Sequence, residues 1–103
     1  MNELKNDERL IEKLKKRIKS MSNSSNEEVD DLVESCRKEL EMAGVYGDEK
    51  DPTYYQAIVL YCKANYGYDE DVERFERAFK SLRDAMSLSG DYGKKEGDGN
   101  RHD

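Results

Sequence analysis

A chain of 103 residues holds one domain and leaves little room for a second core. With 41% charged residues, a mean hydropathy of −1.11 and no apolar run of about 18 residues, it has no membrane span, and its start lacks the apolar centre of a signal peptide. The net charge of −6 is split, with seven bases against four acids in residues 1–25 and three against ten in residues 26–51, which is not the one-sign surface of a dedicated DNA binder.

Charges of both signs at helical spacing predict ordered helices with solvated faces rather than disorder. The expected fold is all-α, a compact bundle of about four helices over residues 1–89 with a disordered, flexible hydrophilic C-terminal tail over 90–103. No segment reads as a strand, and there is no internal repeat.

The first helix is expected over residues 3–20, with Leu10, Ile11, Leu14 and Ile18 as its apolar stripe. Its acids come early (Glu3, Asp7, Glu8) and its bases late (Lys15, Lys16, Arg17, Lys19), an order that complements the helix dipole. The stripe is narrow, which predicts a peripheral helix. The run Ser-Asn-Ser-Ser over residues 22–25 breaks the pattern, and Ser25 with Glu28 forms a capping box for the second helix. There Val29, Leu32, Val33, Cys36, Leu40 and Ala43 repeat at helical spacing. Gly44 is expected to end that helix, with Val45 making the hydrophobic contact that follows such a glycine.

A short acidic connection over residues 46–50 leads to the one apolar, aromatic segment of the chain, residues 51–67. Asp51 is expected to cap this helix, Pro52 to occupy its first position and Gly67 to end it. Tyr54, Tyr55, Ala57, Ile58, Val59, Leu60, Tyr61, Cys62, Ala64 and Tyr66 leave it almost no polar face. Such a helix must be covered on several sides, and in so small a domain its last apolar face is expected to meet another chain. Asp69 then caps a fourth helix, whose seam Val72, Phe75, Phe79, Leu82 and Met86 is expected to pack on the third. From Gly90 onward, four glycines and no periodicity predict a disordered tail.

No catalytic constellation emerges. The single histidine, His102, is the second-last residue, far from any rigid frame. Cys36 and Cys62 form no C-x-x-C and have no histidine beside them, so they read as two reduced, buried thiols. Asp69, Asp71 and Glu73 alternate as a calcium loop begins, but Arg74 stands where that loop needs glycine, so they read as capping and dipole partners. The glycines from Gly90 to Gly99 have no Gly-Lys-Ser/Thr ending and no preceding strand, which excludes a phosphate loop. No cofactor and no metal are expected.

Two clusters are candidates for contact with other molecules. Lys13, Lys15, Lys16, Arg17 and Lys19 form a basic run that reads most simply as a wet face; contact with an acidic neighbour and phosphate binding are the other readings, the last weakened by Glu8 and Glu12. Tyr54, Tyr55, Tyr61, Tyr66 and Tyr68 gather around the third helix, and tyrosine suits interfaces because it joins a large apolar area to a hydroxyl. By helical spacing Tyr54, Ile58, Tyr61 and Asn65 share one side, and Tyr55, Val59, Cys62 and Tyr66 another. One side is expected inside the subunit and the other between subunits. The candidate subunit or partner interface is thus Tyr54, Tyr55, Ile58, Tyr61, Asn65 and Tyr66, with Lys13, Lys16 and Arg17.

Residues 30–92 resemble the head–tail connector (adaptor, head-completion) proteins of tailed bacteriophages, often labelled DNA-packaging proteins. The pieces that carry the resemblance come in order: Ala43-Gly44-Val45 ending an amphipathic helix, and Asp51-Pro52 opening an apolar one. That helix closes with Tyr-Cys-Lys-Ala-Asn-Tyr-Gly (residues 61–67). Then come Glu-Arg-Phe…Phe-Lys-Ser-Leu-Arg (residues 73–83) and a Leu-Ser…Gly-Asp-Tyr-Gly ending (residues 88–93). The longer charged first helix and the hydrophilic last ten residues depart from that pattern.

The resemblance implies a structural, non-enzymatic protein of the virion, present in the host cytoplasm before assembly. It implies a homo-oligomeric ring of about a dozen copies, docked beneath the portal protein and receiving a tail-side head-completion or tail-terminator protein. Double-stranded DNA passes through the ring without sequence-specific binding. The alternative class is a small helical regulator that binds nucleic acid or a host protein through its basic first helix.

Overall fold

The computed structural model describes residues 3–66 and 71–94. Its elements are α1 (Glu8–Arg17), a 3₁₀ turn (Lys19–Met21), α2 (Asn26–Met42), α3 (Pro52–Tyr66) and α4 (Val72–Ser89). The fold is all-α, and no strand occurs among the described residues.

Capping chemistry sets most of the boundaries. The Ser25 Oγ accepts from the Glu28 N–H at 3.1 Å while the Glu28 carboxylate accepts from the Ser25 N–H at 3.3 Å, completing the expected box. At the far end of α2, the Gly44 N–H donates to the Glu41 carbonyl and the Val45 N–H to the Leu40 carbonyl. Gly44 takes a φ of 82°, and buried Val45 and Leu40 supply the apolar contact of this Schellman ending. Asp51 caps α3 through its carboxylate, which accepts from the Tyr54 N–H at 3.3 Å. The expected roles of Gly67 and Asp69 lie outside the described residues. α4 begins at Val72, preceded by Asp71, whose carboxylate pairs with Arg74 at 3.5 Å.

Two expectations for the N-terminus are corrected. The first helix does not start at Glu3: the backbone N–H groups of Lys5 and Asn6 donate to the Asp30 carboxylate at 2.9 and 2.8 Å, so this stretch is bound to α2. Asp7 then caps α1 through a 2.8 Å bond from the Arg9 N–H. Nor does the helix run to Ser20, because Ile18 is extended (φ −113°, ψ 102°) and the chain turns in a single 3₁₀ step. That bend carries both Ile18 and Met21 into the core. With Leu10, Ile11 and Leu14 also buried, α1 is an integral wall of the bundle rather than a peripheral helix. Each such side chain contributes about 1.5–3 kcal/mol of burial.

The centre is α3. Tyr54, Ala57, Ile58, Val59 and Cys62 are fully buried, with α4 packed most extensively against the helix and α2 and the 3₁₀ turn covering other sides. Phe79 and Met86 are the buried members of the α4 seam; Val72, Phe75 and Leu82 are half-buried. The first residues of the expected tail make contacts with the bundle. Gly90 turns the chain with a φ of 80°, and the Tyr92 carbonyl accepts from the Tyr46 N–H at 2.7 Å. The Tyr92 hydroxyl donates to the Asp51 carboxylate at 2.6 Å, so residues 90–94 close over the connection between α2 and α3. The rest of the expected tail lies outside the described residues.

Candidate functional site

The aromatic side chains of α3 divide along the helix rather than by side. Tyr54 and Ile58, both expected at an interface, are sealed inside the subunit and offer no surface to a partner. Tyr54 is held by its surroundings: the Arg37 guanidinium lies 5.7 Å from its ring centroid, and its hydroxyl is pushed above the ordinary phenol range by burial, which Arg37 only partly offsets. Tyr55, one residue on, is half-buried beneath α1. The Lys13 ammonium sits 4.5 Å from its ring centroid and the Arg17 guanidinium 6.0 Å. Lys13 and Arg17 thus join Tyr55 in one patch, while Lys16 stands exposed beside them. The Tyr55 hydroxyl is buried without a hydrogen-bond partner, and burial raises its pKa against the pull of Arg17.

The C-terminal half of α3 forms a second surface. Tyr61 is half-buried, its ring meeting Phe79 edge-on at 5.1 Å and 64°. Asn65 is exposed, and its Nδ2 donates to the Tyr61 carbonyl at 2.8 Å. Tyr66 is half-buried. Against Asn65 and Tyr66 α2 sets Leu32 and Ser35, so that these four line a shallow groove between the two helices, flanked by Glu28 and Asp31. Tyr61 lines a neighbouring hollow with Lys5, Glu34, Ser35, Lys38 and Glu39. Asn65 and Tyr66 are therefore brought together, Tyr61 stands in the next hollow, and Lys13, Arg17 and Tyr55 meet elsewhere.

Two features escaped the sequence reading. One is a polar clasp: Asn6 Nδ2 donates to Asp30 at 2.8 Å and to Glu34 at 3.0 Å, Arg37 Nε donates to Asn6 Oδ1 at 2.9 Å, and Arg37 Nη2 pairs with Glu49 at 2.7 Å. It links positions more than 20 residues apart, so no local pattern announces it. The other is a pair of exposed apolar side chains, Met42 (78% exposed) and Leu88 (86% exposed). They flank the bond by which the Ser87 hydroxyl joins α4 to the Ala43 carbonyl, at 2.8 Å. Their signal was present: each is an apolar residue off the stripe of its helix.

Cys36 and Cys62 are both buried, and burial pushes the Cys62 thiol up to about 12 and the Cys36 thiol higher still. Both are therefore thiols, not thiolate nucleophiles, at neutral pH. Among the described residues no group of three or more His, Cys, Asp and Glu side chains converges to hold a metal ion. Among them, too, no helix is long and apolar enough to cross a membrane. The surfaces described are of the kind that contact other macromolecules.

Comparisons with curated proteins and with solved structures returned no match. A family model described as phage connector protein does match, over residues 10–93. The match takes in all but the first two residues of α1, the whole of α2, α3 and α4, and Tyr92 at its closing position. On that match, which spans most of its length, the chain belongs to the phage connector protein family.

Proposed function

We propose that the protein is a head–tail connector subunit that assembles with its own copies into a ring of about a dozen, beneath the portal, and carries the DNA channel toward the tail. The family match over residues 10–93 carries this reading. A connector of this kind works by position: packed helices hold an annulus open, and no bond is made or broken. A closed ring needs two different complementary patches on each subunit, because its contacts are heterologous. The Lys13–Arg17–Tyr55 patch and the groove of Leu32, Asn65 and Tyr66 are two distinct surfaces of that sort, and the net charge of −6 suits a conduit wall that does not grip phosphate.

Met42 and Leu88 add physical support. Covering them in an assembly is worth about 1.5–3 kcal/mol each, a gain the isolated subunit forgoes. The experiment is co-sedimentation with intact portal rings of the phage that encodes this chain. The wild-type protein is expected to travel with the rings, and Met42→Asp/Leu88→Asp to stay behind with unchanged far-UV circular dichroism. Failure of the wild type to bind at micromolar concentration would overturn the reading. The regulator alternative rests on the exposed bases of α1, and its mark would be DNA binding that weakens steeply with salt.

A further inference from the structure

The outer bases of α1 and the α2–α3 groove are complementary to each other, and a subunit cannot bring its own two together. Lys13, Lys16, Arg17 and Lys19 are all exposed. None of the four has a carboxylate within ion-pairing distance among the described residues. Lys13 and Arg17 lie over Tyr55, which gives the patch an aromatic backing. The groove has the opposite character. Leu32 and Tyr66 form an apolar floor that packs on the core yet is incompletely covered. Glu28 and Asp31 stand exposed at its rim. Asp31 has no ion pair there, and the Glu28 carboxylate has the Ser25 N–H for company.

The geometry of α2 keeps the two surfaces apart. Asp30 and Arg37 grip the N-terminal segment, and Asn26 accepts from the Lys15 ammonium at 2.9 Å, so α1 lies along the flank these residues share. Leu32 and Ser35 project roughly 140–160° around the helix from Asp30 and Arg37. The groove is on the far flank from α1. A surface and its complement on opposite flanks of one subunit make a heterologous contact, which propagates from copy to copy until it closes.

We propose that the basic face of α1, with Lys13, Lys16, Arg17 and Lys19, lies in the α2–α3 groove of the next copy of this chain, its bases against Glu28 and Asp31. The occupant is a second copy because the charges missing a partner on one surface are those offered by the other. The inference rests on the connector reading and names the contact through which the ring would form. Apolar burial of Leu32 and Tyr66 supplies adhesion, and the charges supply register and direction.

The test is charge reversal with rescue. Lys16→Glu/Lys19→Glu changes two exposed side chains with no ion pair among the described residues. Glu28→Lys/Asp31→Lys reverses the rim and keeps the Ser25 Oγ bond to the residue-28 N–H. Each variant alone is expected to associate about tenfold or more weaker than wild type on portal rings. An equimolar mixture is expected to assemble again, with the two variants alternating. The milder Lys16→Gln/Lys19→Gln guards against misfolding and is expected to weaken association and flatten its salt dependence. Wild-type assembly matched by both reversed variants, or a mixture of folded variants that stays apart, would overturn the pairing and leave the connector reading standing. A wild-type chain that binds no portal overturns the connector reading itself.

Discussion

Asp30 shows how one side chain fixes the N-terminus. Burial raises the pKa of its carboxyl, but the N–H groups of Lys5 and Asn6 and the Asn6 amide outweigh it and hold the group below the usual carboxylate range. A depressed folded-state pKa contributes stability that is complete above about pH 4 and is lost as pH falls through the folded value. Asp30→Asn is thus expected to cost about 1–3 kcal/mol at neutral pH. In urea unfolding, its deficit against wild type should shrink toward about pH 2; a deficit independent of pH would contradict the account. Gly47 is a second sensitive position. A Cβ there would stand 2.8 Å from Cδ2 of Tyr54, whose ring is buried and cannot move aside. Gly47→Ala should cost about 1–3 kcal/mol by overpacking. Gly44→Ala meets no neighbour but inherits a φ of 82°, so its cost of about 1–2 kcal/mol comes from the backbone alone. Thermal unfolding of the two variants separates these causes when each is paired with a smaller residue at position 54, which relieves only the first.

Between elements, the α1–α3 contact carries a cost that substitution can remove. The Tyr55 hydroxyl is buried and unpartnered, so Tyr55→Phe should be neutral or stabilising by up to about 1 kcal/mol while Lys13 and Arg17 keep their aromatic face. A clear loss of stability would mean that the hydroxyl has a bond after all. The closing strap is expected to respond to base. The bond to Asp51, with partial burial, raises the Tyr92 pKa, so the strap is intact below about pH 10 and loses its hold as pH rises through the folded value. Ends of helices were legible in the sequence wherever the capping partner is local, as at Ser25 with Glu28 and at Gly44 with Val45. They were illegible where it is distant. Glu3 and Asp7 look like the opening acids of a long helix, and only Asp30, on another element, shows that Lys5 and Asn6 are spoken for. The same holds for Tyr92, whose partners are Tyr46 and Asp51.

For the whole molecule, the all-α architecture and the family followed from residues in order along the chain, because an apolar helix between two amphipathic ones admits few other arrangements. Which tyrosines face outward did not follow. Periodicity assigns sides to α3, but neighbours pack on several of its sides, so Tyr54 and Ile58 are sealed inside while Tyr61, on the same side by spacing, and Tyr66 remain in part at the surface. The surfaces left over are basic along α1, acid-rimmed over the groove and apolar at Met42 and Leu88, and the proposed heterologous contacts would use them. The proposed function requires copies of this chain to close into a ring on the portal. Native mass spectrometry of the protein mixed with its phage's portal ring tests it most directly. The account predicts addition of a fixed number of copies, about a dozen, per portal; an intact portal that takes up none, or a broad unsaturating series, would contradict it.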